Sequence, residues 1–141
     1  MRQPNNILDE IKFLYSELFP ICRSLTGSGN AKSLEILKKI SDFKVIKFKS
    51  GQKCYDWKVP LVWKIKDAYI KNNNKKIIDF KVNNLHVVNY SHPIKKRISF
   101  NSLQKKLHFM KNLPTAVPYR TSYYKKDWGF CISYNDFLKL D

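Results

Sequence analysis

Val45-Ile46-Lys47-Phe48-Lys49-Ser50-Gly51-Gln52-Lys53-Cys54-Tyr55-Asp56-Trp57-Lys58-Val59-Pro60 is the stretch on which the fold turns, because here the apolar spacing changes from helical to alternating. Val45 to Lys49 and Tyr55 to Val59 both alternate, the second with Tyr55, Trp57 and Val59 on one face. Ser50-Gly51-Gln52 can reverse the chain between them, so the stretch predicts a β-hairpin. Pro60, like Pro93 further on, suits a strand end, where a missing N–H breaks no ladder.

Upstream the spacing is helical. Ile7, Leu8, Ile11, Leu14, Tyr15 and Leu18 form a one-sided stripe, with Asn5 or Asn6 as cap, Asp9 and Glu10 in the first turn and Pro20 at the end. The polar connection Ile21 to Asn30 leads to a second predicted helix, about Ala31 to Ser41. Ser28 or Asn30 caps it, and it carries Leu34, Leu37 and Ile40 inward with Ile36 beside them.

Downstream, Trp63 to Lys71 and Lys76 to Lys81 flank Asn72-Asn73-Asn74, residues that tolerate left-handed geometry, and predict a second hairpin. Leu85 to Tyr90 reads as another strand. Ser102 to Met110 reads as a short helix capped by Ser99 or Asn101, and Leu113 to Tyr119, with two prolines, as extended chain. A dense aromatic group follows, Tyr123, Tyr124, Trp128 and Phe130, and then the start of a helix from Ser133, capped by Ser133 or Asn135. The fold class expected from this order is α+β: two N-terminal helices followed by a small β-rich region with one short helix.

The length of 141 residues is one domain's worth of chain, which excludes a long multidomain enzyme. The hydrophobic share of 43% and aromatic share of 14% exclude a wholly disordered basic tail. No apolar run approaches the roughly 18 residues of a membrane span, so no membrane partner is expected and the chain reads as cytoplasmic. Cys22, Cys54 and Cys131 form no Cys-x-x-Cys pair, and His86, His92 and His108 stand apart from one another. Reduced thiols and no metal site are the expectation for this chain.

The charge of +16 comes from 27 basic and 11 acidic residues, but 23 of the basic ones are Lys and they are dispersed. Arg, with its planar fork, is the residue expected where phosphate and base edges are read, so most of this charge reads as solvated surface. The alternative is a basic binding module for an acidic polymer, nucleic acid or anionic polysaccharide, held weakly and salt-sensitively. No helix-turn-helix, aromatic RNA-binding motif or zinc finger accompanies it.

Several segments in order resemble one family. They are Leu18-Phe19-Pro20-Ile21-Cys22-Arg23-Ser24-Leu25-Thr26-Gly27, Asp56-Trp57-Lys58-Val59-Pro60, Asp67-Ala68-Tyr69-Ile70, Asn84-Leu85-His86-Val87-Val88, Pro118-Tyr119-Arg120-Thr121-Ser122-Tyr123-Tyr124 and Trp128-Gly129-Phe130-Cys131. Together they resemble the bacterial domain-of-unknown-function family with a zinc aminopeptidase-like fold, and the similarity covers nearly the whole chain. The resemblance implies a larger protein with a zinc-peptidase-like α/β core, an inserted β-rich domain and a C-terminal winged-helix region. It places Met1 to about Lys47 (1-47) in the opening helices of the core, about Phe48 to Tyr134 (48-134) in the inserted domain, and Asn135 onward (135-141) at the return to the core.

Zinc is implied for the full-length family, on ligands of a His-x-Cys-His-Pro type motif and an Asn-Asp pair that nothing in this chain matches. Ser91-His92-Pro93 lacks the preceding His and Cys, so His92 reads as a surface loop histidine. A hydrolytic zinc centre needs three or more protein ligands and an open position for water. This chain is therefore expected to hold no cofactor, to be inactive alone, and to need a missing or separately encoded catalytic portion as partner.

Two groups are candidates for lining a substrate cleft. Arg23, followed by Thr26, Gly27, Ser28 and Gly29, offers a guanidinium fork beside exposed backbone amides, suited to a carboxylate or phosphate. The competing reading is a helix connection whose Arg caps carbonyls. Arg120, Tyr123, Tyr124 and Trp128 offer an aromatic and cationic surface, against which stands ordinary core packing. Asp56, Asp67 and Asp79 show no pairing that suggests a shared proton, and Asp56-Trp57 reads as packing the first hairpin on the sheet.

Overall fold

The computed structural model describes residues 6–24, 26–123 and 125–140, in two compact units, Met1–Lys64 and Ile65–Asp141. Helix content and short antiparallel hairpins occur together, as an α+β chain requires.

The first unit opens with helix α1, Ile7–Leu18. The Asn6 side chain accepts the Asp9 N–H at 3.0 Å, and Asp9 and Glu10 stand in the first turn, so both N-terminal signals in the sequence act as read. Helix α2, Ser28–Leu37, starts three residues earlier than the spacing suggests. Gly27 occupies its N-cap without a side-chain bond, and Ser33 Oγ donates back to the Gly29 carbonyl at 2.9 Å. Ile36 is the buried apolar residue of α2, while Leu34 and Leu37 are half-buried and Ile40 is exposed.

The predicted hairpin exists but is displaced. Strands β1, Lys53–Cys54, and β2, Trp57–Lys58, pair around a tight turn at Tyr55, where φ is +51°. The ladder runs on through Gly51 N–H to Val59 O at 2.7 Å and Val59 N–H to Gln52 O at 2.8 Å. Val45 to Lys49 therefore forms no strand, because the residues expected to turn the chain are the ones that pair with Val59. Tyr55 is 90% exposed and Trp57 is 48% exposed, so neither is a core residue.

In the second unit, strands β3, Tyr69–Asn72, and β4, Lys75–Asp79, pair antiparallel. Asn73 and Asn74 take φ of +43° and +65°, the double left-handed turn that matches the twist of a hairpin. These are the only strands longer than two residues among the described residues, so the unit is less β-rich than expected. Leu85 to Tyr90 is not a strand: Asn84–His86 is a 3-10 turn capped by the Asn83 side chain on Leu85 N–H at 3.0 Å. Only single bridges follow it in this segment, Val87 to Phe130 and Asn89 to Thr121.

Helix α3, Phe100–Gln104, begins at the Ser99 cap as predicted but ends early. Leu107–His108 leaves the helical path as strand β5 to pair in parallel with β6, Phe130–Cys131. Helix α4, Tyr134–Phe137, is capped by Ser133, whose Oγ accepts the Asp136 N–H at 3.1 Å. The core of this unit is Ile78, Leu103, Leu107 and Ile132, against which Ile70, Ile98, Phe109 and Phe137 pack. Phe109 stacks on Phe137 with ring centroids 4.2 Å apart.

Candidate functional site

The aromatic and cationic group forms where three loops of the second unit meet around Asn89. This side chain is 4% exposed, and a polar group so buried needs partners. Its Nδ2 donates to Tyr119 Oη at 3.2 Å, its backbone N–H donates to Arg120 O at 2.9 Å, and its carbonyl accepts from Ser122 N–H at 2.8 Å. Beside it Tyr90 adopts φ of +65°, unusual for an aromatic residue. Its ring meets Tyr123 edge to face, with centroids 5.2 Å apart.

Trp128 is half-buried on the next loop. The Lys96 ammonium lies 5.3 Å and the Lys106 ammonium 5.6 Å from its ring centroid, and the Phe130 ring meets it edge-on at 6.4 Å. Lys106 also pairs with Asp127 at 2.5 Å, and Asp127 accepts the Trp128 N–H at 2.8 Å. The hydrogen bond from Lys106, then that from Trp128, holds the Asp127 carboxyl below the usual carboxylate range.

His108 lies on β5 in the same neighbourhood. Burial first, and then the positive charge of Arg120, push its pKa down, so the imidazole is neutral at pH 7. Burial pushes the Cys131 thiol up to about 11. The cluster thus holds two ammonium groups over Trp128, of which Lys106 is committed to Asp127, with Arg120 close enough to act on His108. Among its described residues, Cys131 is protonated and fully buried, and Asp127 is tied to Lys106.

Of the residues singled out in the sequence, Arg120, Tyr123 and Trp128 fall on this cluster, with Arg120 exposed and the other two half-buried. Tyr124 lies outside the described residues. Arg23 belongs to the first unit, where its Nη1 donates to the Leu18 carbonyl at 2.8 Å, so the side chain does cap the end of α1. His92 is exposed, as a loop histidine should be. The sequence reading missed Asn89, Lys96, Lys106 and His108, which no local pattern distinguishes. The positive φ at Tyr90 also has no signature in Asn89-Tyr90-Ser91.

Among the described residues, no group of three His, Cys, Asp or Glu side chains comes together to hold a metal ion. The described residues therefore offer no ligand set for the zinc centre that the resemblance implies for the family. No helix among them is long and apolar enough to cross a membrane. The three cysteines are free thiols, and labelling is expected to follow burial. Half-buried Cys54 should react first with a maleimide near neutral pH, Cys22 more slowly because burial raises its pKa, and Cys131 only on unfolding. Peptide mass spectrometry reads the order, and early labelling of Cys131 would show that its loops open in the native state.

Comparison with known proteins places this geometry in a family. The model of a domain of unknown function, DUF2172, matches residues 62–141, more than half of the chain. A Clostridium acetobutylicum protein, provisionally named for polysaccharide biosynthesis and an aminopeptidase-like domain, is 47% identical over 132 residues. Those residues are 93% of this chain and 30% of that protein. A crystal structure from the same organism, provisionally called a peptidase, superposes with a TM-score of 0.87 at 47% identity, over 94% of this chain and 32% of its own. The chain thus spans about 30% of the length of the curated relative it matches. By the extent of the match and this identity, the chain belongs to the DUF2172 family.

Proposed function

We infer that this chain acts as the N-terminal portion of a peptidase-like hydrolase whose catalytic centre lies in polypeptide outside it. The observation that carries this reading is the 47% identity, over 93% of the chain, to a protein named for an aminopeptidase-like domain of which the chain spans 30%. In this reading the Arg120, Tyr123 and Trp128 surface borders substrate access, Trp128 and Tyr123 offering apolar faces and Arg120 a fork for a carboxylate.

The test is an amide-hydrolysis assay on aminoacyl p-nitroanilides. It uses the purified chain alone and the chain mixed with the part of the Clostridium acetobutylicum relative that lies outside the matched region. No turnover is expected alone and measurable turnover in the mixture. Stoichiometric zinc with amide cleavage by the chain alone would overturn the assignment of chemistry to other polypeptide. An inactive mixture, with an active full-length relative as control, would remove the hydrolase role from this chain.

A further inference from the structure

Charge that looks dispersed along the chain is gathered by the fold around Trp128. Between residues 80 and 135 stand ten basic residues and one acidic residue, Asp127. Two loops carry five of the basic ones. Lys95, Lys96 and Arg97 lie on the exposed segment 92–97, and Lys125 and Lys126 on the exposed bend before Asp127. The loops are tied to each other twice: the His92 N–H donates to the Asp127 carbonyl at 2.8 Å, and the Lys96 ammonium lies 5.3 Å from the Trp128 ring centroid. Lys106 joins them through the same ring and through the Asp127 carboxylate. Among the described residues of the Ile65–Asp141 unit, every carboxylate is already paired with a lysine: Asp67 with Lys81, Asp79 with Lys76, Asp127 with Lys106 and Asp136 with Lys139. Five cations on two joined loops repel one another, a cost that a polyanion laid across them would remove.

The chemistry favours one class of polyanion. The five are a triplet and a doublet of consecutive residues, so their anchoring points stand only about 3.8 Å apart along the chain. Duplex nucleic acid, with one charge per about 1.7 Å of axis, matches so dense a set, whereas a polyuronate carries a single carboxylate on each sugar ring. Unpaired bases would need a free aromatic face to stack on, but two ammonium groups stand over the Trp128 ring. Lysine, a point charge, contacts phosphates without the fork that reads base edges. We propose that loops 92–97 and 125–127, held together by Trp128 and Lys106, are a docking surface for the phosphate backbone of duplex nucleic acid, bound without regard to base sequence. The proposal goes beyond the hydrolase reading and stands without it.

The experiment is fluorescence anisotropy of labelled DNA duplexes, one of mixed and one of repetitive sequence, titrated with the intact chain. Both should bind, and from about 50 to 200 mM salt the affinity should fall about 10²–10³-fold, as for roughly four to six phosphate contacts. Lys95→Gln with Lys96→Gln, and Lys125→Gln with Lys126→Gln, should each weaken binding at least about tenfold and flatten the salt dependence by about two contacts. Lys71→Gln with Lys75→Gln removes the same charge from exposed positions of the β3–β4 hairpin and should leave the affinity within about threefold. Circular dichroism of each variant separates lost binding from lost folding, and the salt dependence of the unsubstituted chain carries the result by itself. Five outcomes overturn the proposal: no binding at the lower salt, an affinity indifferent to salt, a strong preference between the two duplexes, hairpin substitutions as damaging as the loop ones, or equal or tighter binding to polygalacturonate or to phosphatidylserine vesicles. The last would make the surface a reader of carboxylate polymers or of lipid headgroups instead.

Discussion

Ile132→Ala should lower the stability of the Ile65–Asp141 unit by about 2–5 kcal/mol, the range for truncating a buried Ile or Leu. Ile132 is 1% exposed and sits in one cluster with Ile78, Leu103 and Leu107. Its neighbours are fixed from several directions. Its own N–H donates to the His108 carbonyl at 3.0 Å, and the next residue, Ser133, caps α4. The site therefore cannot collapse readily around a smaller side chain, which favours the upper part of the range. Domains carry only roughly 0.05–0.15 kcal/mol of stability per residue, so the change would remove a large fraction of what holds this unit folded. Urea unfolding followed by near-ultraviolet circular dichroism would show the midpoint moving sharply down, with Val82→Ala as a control within about 0.5 kcal/mol of the parent. An unchanged midpoint for Ile132→Ala would mean that this cluster is not the core.

What the sequence made legible were elements whose cause is local. Asn6 caps α1, Asn73 and Asn74 turn the β3–β4 hairpin, and Ser99 and Ser133 start α3 and α4, each because one side chain and its near neighbours suffice. Elements decided by distant partners were misplaced. Val87, Val88 and Asn89 are buried in succession, which defeats any alternating pattern, and bridges to Phe130 and Thr121 replace a ladder. Leu103 and Leu107 stand four apart and suit a helix, yet pairing with Phe130–Cys131 pulls Leu107 into β5. The candidate site divides in the same way. A dense aromatic run pointed to Tyr123 and Trp128, whereas Asn89, Lys96 and Lys106 come from separate parts of the chain, Lys106 meeting Asp127 across 21 residues. The glycines after Arg23 suggested a ligand loop, but their packing supplies a steric reason for at least one of them.

That glycine is Gly29, and Gly29→Ala should disrupt the start of α2. Helix propensity alone predicts the opposite, since Ala in a helix is favoured over Gly by about 1 kcal/mol. Sterics decide the sign. A Cβ at this position would stand 2.0 Å from the Cys22 carbonyl oxygen and 2.9 Å from its carbon, with Ile21 Cγ2 at 3.1 Å. The obstacle is backbone and cannot rotate aside, and the segment carrying it is tied to the end of α1 by Ile21 N–H and Arg23 Nη1, both donating to the Leu18 carbonyl. Overpacking of this kind costs typically about 1–3 kcal/mol and more when the neighbour is rigid, which exceeds the propensity gain. In a unit with one buried apolar side chain among the described residues, that loss should be visible as faster amide exchange across 28–37 and reduced helical signal. Gly51→Ala is the comparison: φ there is +84° with nothing within 4 Å of the added carbon, so its cost is backbone strain of about 1–2 kcal/mol confined to the first hairpin. If Gly29→Ala instead strengthened α2, the Cys22 carbonyl would have to lie elsewhere, and the glycines after Arg23 would regain their reading as an open loop that presents backbone amides to a ligand.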